Sequence, residues 1–317
     1  YFGGGCGILS LYRNELAITD GRNLTKYYGS YLKFVERCDI MTYFTAFLLG
    51  LIQGVAEFLP ISSSGHLAIA QNLLGMSQAG SVPEFFDVLL HLGTLVAVFA
   101  AYWSDIRDMV VEFFRGIRDL AHRTTPTPVP PARRLILLII IGTLPLFAVL
   151  PIRKAVQGLG DNMFFVGGAL IFTGLLLFVC DGVRKGRKTE RSATWLDALL
   201  VGVGQALATL PGVSRSGMTI TAGCFVGYER QFAVRFSFLL SIPAILGANI
   251  LSVGDAAAAG INTAEVPMYL VGVVTAAVVG YACIRLLKYV AEKGRFGAFA
   301  YYCWALGVLT LVLQAVK

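Results

Sequence analysis

The chain is short of charge. Only 14% of its 317 residues are Asp, Glu, Lys or Arg, against 56% hydrophobic, and the mean hydropathy is +0.70. So small a supply of ionised groups excludes an ordinary soluble domain of this length. Histidine is scarce as well, with three in all: His66, His91 and His122. The six cysteines lack any metal-binding or redox spacing, and Cys180, Cys224, Cys283 and Cys303 lie in apolar stretches, where they act as small hydrophobes. Residues 1–40 lack the basic, apolar and cleavage regions of a signal peptide. They are mixed in polarity and read as an N-terminal extension without an assigned role, whereas 41–317 reads as a single membrane domain.

What the chain has instead is long apolar runs. A helix needs about 20 apolar residues to cross a bilayer core, and runs of that kind lie near 86–103, 133–151, 163–181, 232–253, 266–287 and 297–315. An open sheet would leave backbone groups unpaired in lipid, so the expected fold is an all-α integral membrane protein. The connectors carry the orientation. Arg107, Arg115, Arg118, Arg123, Arg133 and Arg134 fall in the linker 104–134. Arg184, Lys185, Arg187, Lys188 and Arg191 fall in 182–194, with Arg230, Arg235, Arg285, Lys288, Lys293 and Arg295 on the same side. The opposite side has Arg153, Lys154 and Lys317, apart from whatever 1–40 adds. By the positive-inside rule the first group is cytoplasmic. The basic loops are read as topology signals, with no nucleic-acid partner. The Pro/Thr-rich stretch HRTTPTPVPPARR reads as a connector between spans.

One phrase occurs twice. Residues 50–70 read GLIQGVAEFLPISSSGHLAIA and residues 202–222 read GVGQALATLPGVSRSGMTITA. At one constant offset Gly50/Gly202, Gln53/Gln205, Ala56/Ala208, Ser62/Ser214, Ser64/Ser216, Gly65/Gly217 and Ala70/Ala222 coincide. Neither phrase is a clean span. Glu57, Pro60 and the Ser-Ser-Ser-Gly run interrupt 42–59, and a short apolar stretch follows at 67–76; residues 195–210 and 218–227 repeat this around PGVSRSG. Irregular backbone at membrane depth survives only where protein or a water-filled cavity covers it. Each phrase is therefore expected to be a re-entrant helical hairpin, the alternative being two kinked ordinary spans. One hairpin plus three spans per half, roughly 42–181 and 195–317, makes an odd number of crossings. The halves then form an inverted-topology repeat whose hairpin tips meet near the bilayer midplane. Each tip precedes a helix start, where free N–H groups and the positive dipole end suit an anion.

The copies differ where chemistry is expected. Glu57 and His66 stand against Thr209 and Met218, and Arg215 stands against Ser63. Ionisable groups at membrane depth are costly, which makes them functional candidates. Gln53 and Glu57, four apart, share a helix face. A carboxylate and an imidazole suit proton transfer or metal ligation, and a guanidinium suits phosphate. Ser62, Ser63, Ser64, Ser214 and Ser216, with Gly65, Gly212 and Gly217, surround the expected site with hydroxyl and backbone donors. Plainer readings exist for each: Glu57–Arg215 as a structural ion pair, His66 as a satisfied structural residue, and serines that only bond backbone carbonyls. Glu84, Asp87 and His91 are lesser candidates for a supporting role, and His122 lies in a polar linker.

At these residues the chain resembles a known family. QGVAEFLPISSSGH is similar to the glutamate-rich and PxSSxGH segment of undecaprenyl-diphosphate phosphatases, the bacitracin-resistance family, and LPGVSRSGMTITAG resembles its PGxSRSG segment. The resemblance covers about 42–317. It implies a membrane phosphatase that converts a polyprenyl diphosphate to the monophosphate plus phosphate and so recycles the carrier lipid for cell-wall glycan synthesis. It further implies Glu57 and His66 as acid/base and metal-associated residues, Ser63 with Ser62 and Ser64 as a phosphate-binding or nucleophilic turn, and Arg215 as the diphosphate-binding arginine. Gln53 is the Q version of the first position of that family's (E/Q)xxxE segment; it removes a negative charge, which leaves Glu57 to carry any metal contact of this pair. The implied cofactor is a divalent cation, Mg²⁺ or Ca²⁺, and the implied partners are the polyprenyl diphosphate and membrane lipids; the sequence leaves room for a homo-oligomer. The expected place is the cell membrane, with the site opening to the outer side. A carrier-lipid flippase or anion transporter would share the inverted-repeat architecture, and phosphate release in detergent separates the two classes.

Overall fold

The computed structural model describes residues 42–73, 84–124, 126, 128–259, 265–293 and 295–316, all within one compact unit, Met41–Lys317. The expectation for residues 1–40 and the end of the 67–76 stretch lie outside the described residues. Helices α1 (Tyr43–Phe58) and α2 (Ser63–Leu73) make up the first repeated phrase. They are followed by α3 (Glu84–Ala101), α4 (Trp103–Ala121) and α5 (Pro131–Thr143). Three-ten turns at Leu144–Ala148, Leu150–Ile152 and Leu159–Asp161 flank the short α6 (Arg153–Gly158), and α7 (Met163–Gly182) closes the first half. The second half holds α8 (Trp195–Leu207), α9 (Arg215–Phe225), α10 (Arg230–Ala259), α11 (Val266–Lys293) and α12 (Gly297–Val316).

Among the described residues, five segments are long and apolar enough to cross a membrane: Pro131–Asp161, Met163–Gly182, Arg230–Ile250, Val266–Lys293 and Gly297–Val316. The bent pair Phe85–Ala101 and Trp103–Ala121, turned by 84° at its break, makes a sixth if counted as one span. The chain is thus an all-α, multi-pass membrane protein. The run 133–151 lies in the span Pro131–Asp161, as expected; within it Pro145 and Pro151 lack the N–H that would continue the ladder, so the α-helix ends at Thr143 and tightens into three-ten turns. One expectation needs correction: 104–134 is not simply a linker, because residues 103–121 form α4. Its Glu112 and Asp119 turn inward to Arg133 at 3.2 and 2.8 Å, while Val110, Phe113, Phe114, Ile117 and Leu120 are exposed. A helix with its apolar face outward, turned off the preceding span, is suited to lie in the membrane interface. Lys288 secures the corner, donating to the Ala101 carbonyl at 3.0 Å and lying 3.7 Å over the Tyr102 ring.

The two repeated phrases are broken helices. The 16-residue α1 and 13-residue α8 are shorter than a crossing requires. Leu59, the residue before Pro60, is held extended at ψ 141°, which ends α1, and Ser62 takes φ 74° before α2 begins. In the second phrase Gly212 takes φ 87°, where a Cβ would also stand 2.8 Å from Ala169 Cβ. A hydroxyl from α7 pins that tip: Thr173 Oγ1 donates to the Gly212 carbonyl at 3.2 Å and accepts from the Ser214 N–H at 3.1 Å.

Packing crosses between the halves. Helix α1 lies along α11 and α8 lies along α5, while α7 pairs with α12. The repeat-related Gly50 and Gly202 sit at the two crossings. A Cβ at Gly50 would come within 2.4 Å of the Gly272 oxygen, and one at Gly202 within 2.3 Å of the Gly142 oxygen. Without water to drive helices together in lipid, such backbone contact is what association depends on. Gly50→Val and Gly202→Val should therefore each destabilise the protein by at least about 1–3 kcal/mol. This would be read as a lower melting temperature in detergent, while Gly168→Val, which meets nothing within 4 Å, leaves it unchanged. Thr173→Val should cost about 1–3 kcal/mol by stranding two buried backbone groups, and Thr173→Ser should recover most of it in the same melt.

Candidate active site

The site is organised around one carboxylate. Glu57 lies in the last turn of α1, one turn after Gln53, and its side chain is only 4% exposed. Arg215, the first residue of α9, reaches across from the second phrase and places its guanidinium 2.6 Å from Glu57 Oε1. Glu57 Oε2 accepts from Ser63 Oγ at 2.7 Å and from Gln53 Nε2 at 3.1 Å. Ser63 and Arg215, aligned in the repeat, thus meet on opposite oxygens of the same group. Such charge-assisted bonds offset the high cost of a buried carboxylate.

The serine and glycine turns do equivalent work in the two copies. Ser62 Oγ accepts from the Gly65 N–H at 3.3 Å and Ser214 Oγ from the Gly217 N–H at 3.1 Å, each capping the helix that follows. Ser62 pairs with Ser64 at 3.4 Å and Ser214 with Ser216 at 3.2 Å. The tips also touch directly. The Gly212 N–H donates to Ser64 Oγ at 3.3 Å, Ser216 Oγ donates to the Leu59 carbonyl at 3.4 Å, and a Cβ on Gly65 would lie 3.2 Å from Gly212 Cα. Helices α2 and α9 therefore begin side by side, with their N-terminal dipole ends at the same place. A cleft beside the ion pair is lined by Glu57, Phe58, Arg215, Ser216, Ser237, Phe238 and Ser241.

His66 is held by other partners. Its Nδ1 lies 2.7 Å from the Ser62 carbonyl, which can only accept, so Nδ1 carries the proton and Nε2 accepts from the Tyr302 hydroxyl at 2.8 Å. The two rings stack at 5.6 Å. His91, a lesser candidate from sequence, comes to the centre instead: its Nε2 is 3.9 Å from Glu57 Oε2. Tyr302, Thr173, Ser237 and Ser241 were not foreseen. Thr173 had a faint signal, as a hydroxyl inside an apolar span, but Tyr302 is one of many aromatics in its span.

Among the described residues no three of His, Cys, Asp or Glu gather as a metal cluster. The donor set still fits a divalent cation completed by substrate, because Mg²⁺ and Ca²⁺ sites commonly combine one or two carboxylates with phosphate oxygens. Glu57 supplies the carboxylate, and the fully buried Gln53 Oε1 has no hydrogen-bond partner.

Comparison with known proteins gives this geometry a context. The family model described as Bacitracin resistance protein BacA matches residues 46–309. The chain is 43% identical over 285 residues to a protein of Syntrophotalea carbinolica named undecaprenyl-diphosphatase, covering 87% of this chain and 100% of the relative. Proteins of the same name from Methanosphaera stadtmanae and Alkaliphilus metalliredigens are 37% and 39% identical, each over 86% of this chain and nearly all of the relative. A match that takes in both broken helices and every span, at this identity over whole relatives, means that the chain belongs to the BacA bacitracin-resistance family.

Proposed function

We propose that this protein hydrolyses the phosphoanhydride of undecaprenyl diphosphate, releasing phosphate and leaving the lipid monophosphate for another round of cell-wall glycan synthesis. The observation that carries the reading is the meeting of Glu57 and Arg215 at a pair of Ser/Gly helix starts, in a chain whose relatives bear the corresponding name. The substrate's diphosphate would replace Glu57 as the partner of Arg215, and the N–H groups at the starts of α2 and α9 would hold the remaining oxygens. Those fixed donors stabilise charge that develops on the transferred phosphoryl group. Ser63 Oγ, 2.7 Å from Glu57, is within reach for the carboxylate to take its proton, so that Ser63 attacks directly or orients the attacking water. Attack on the terminal phosphorus breaks its bond to the bridging oxygen, which leaves on the lipid monophosphate; where Ser63 is the attacker, water then releases phosphate from the phosphoserine. His66, protonated at Nε2 from solvent, would give that proton to the leaving lipid phosphate, and the proton taken up by Glu57 would pass back to solvent with the released phosphate. A divalent cation bound at Glu57 supplies further neutralisation of phosphate charge.

We also read residues 41–317 as one domain built from an inverted pair of halves. What supports this is the reciprocal packing of α1 on α11 and α8 on α5, with repeat-related glycines at both crossings. The weight of basic residues on one side supports a site open to the outer face, with the isoprenoid among the apolar spans.

Purified protein in detergent should release phosphate from the polyprenyl diphosphate. Arg215→Ala and Glu57→Ala should each lower kcat/KM by about 100–1,000-fold, and His66→Ala by about 100-fold or more. Near-wild-type turnover in all three, with the protein still folded, would remove the assignment. The orientation has its own test. A membrane-impermeant maleimide should label Lys154→Cys but not Arg187→Cys on intact cells; the reverse pattern inverts the topology.

A further inference from the structure

Glu57 faces an imidazole that the reaction as described above does not employ. His91 stands on α3, and its Nδ1 is 2.8 Å from the Asp87 carbonyl. That carbonyl only accepts, so Nδ1 donates to it, and in the neutral ring the Nε2 lone pair is turned to Glu57 Oε2, 3.9 Å away. The His91 side chain is 31% exposed and that of Glu57 4%, so the gap between the two acceptor atoms is reachable from one side, and a cation there would be drawn to both. A third donor is adjacent. Gln53 Oε1 is wholly buried without a hydrogen-bond partner, on the amide whose Nε2 already reaches the same Glu57 oxygen at 3.1 Å. A half-turn of that amide places Oε1 where Nε2 now stands. The charge arrangement also favours this side of the carboxylate, because Arg215 occupies the other oxygen, Oε1.

We propose that His91 is a metal ligand: a divalent cation is held between His91 Nε2 and Glu57 Oε2, with Gln53 Oε1 as the third protein donor. The inference rests on the diphosphatase reading to the extent that phosphate oxygens complete the coordination. Its consequence is selectivity. A set built on two carboxylates suits Mg²⁺ and Ca²⁺, whereas an imidazole nitrogen moves preference towards transition metals such as Mn²⁺ or Zn²⁺. Gln53 in place of a carboxylate and His91 beside Glu57 would together make that exchange, one anionic oxygen given up and one neutral nitrogen gained.

The test uses the full chain in detergent with Mn²⁺ as probe and methylenediphosphonate as an uncleavable diphosphate. Binding is followed by continuous-wave EPR, and the ligand nitrogen by electron spin-echo modulation. Wild type should show bound Mn²⁺ with imidazole nitrogen coupling. His91→Gln should lose the coupling and weaken Mn²⁺ binding by about 10–100-fold. His91→Asp should restore binding without the coupling, which rules out misfolding as the cause. Bound Mn²⁺ without nitrogen coupling in wild type, coupling that survives in His91→Gln, or Mn²⁺ binding equal in the two proteins (the result if only a proton is shared) would each overturn the proposal. Phosphate release from the polyprenyl diphosphate, measured on the same preparation, keeps the two readings apart. An active enzyme without the coupling loses only the His91 ligand; an inactive protein with it keeps the metal site and loses the diphosphatase reading.

Discussion

A single ion pair between the two broken helices is the constraint around which the rest is arranged. In surroundings this apolar, removing one partner of a buried pair costs about 3–5 kcal/mol, because the other is left charged and unmatched. Glu57 is accordingly saturated, with Arg215 on one oxygen and Ser63 and Gln53 on the other. To bring a residue from α9 within 2.6 Å of one from α1, the tips must interlock. The Gly212–Ser64 and Ser216–Leu59 hydrogen bonds and the clamp from Thr173 all serve that approach. The same pair leaves the Arg215 guanidinium satisfied by a carboxylate from the other broken helix.

The duplicated phrase made much of this legible in advance. Aligning Ser63 with Arg215 placed both at helix starts, and the structure finds them on the two oxygens of Glu57. Helix breaks at Pro60 and around Gly212 followed from local rules that need no tertiary context. Contacts from elsewhere in the chain were beyond such rules. Tyr302 meets His66 across 236 positions, and Thr173 meets Gly212 across 39. Neither carries a local mark that sets it apart from a residue facing lipid. His91 was visible as a histidine in an apolar run, but its rank depended on how closely α3 approaches α1, which only packing decides.

Helix α4 was hidden for a different reason. Its charges made 104–134 look like a solvated connector, yet they are confined to one side of a regular helix and partly spent on Arg133. Mean polarity over a window hides an amphipathic surface; periodicity at 3.6 residues recovers it. The 84° turn at Tyr102 then separates a span from a helix that can lie along its end. The proline-bearing stretch after α5 was legible as part of a span, while its change to three-ten turns at Pro145 and Pro151 is a local detail that apolar content does not carry.

The glycine crossing between α1 and α11 also bears on how the protein is made. Gly50 finds its seat on Gly272, a residue that leaves the ribosome long after α1 has been inserted. Until α9 is made, the first broken helix holds a carboxylate, an amide and a serine turn without their arginine, and until α11 is made it lacks their packing wall as well. A nascent chain halted before α9 would carry that polar tip without the contacts from Arg215, Gly212 and Ser216. The polar tip made first is thus completed only by segments made last, so the order of synthesis and the order of packing differ in this chain.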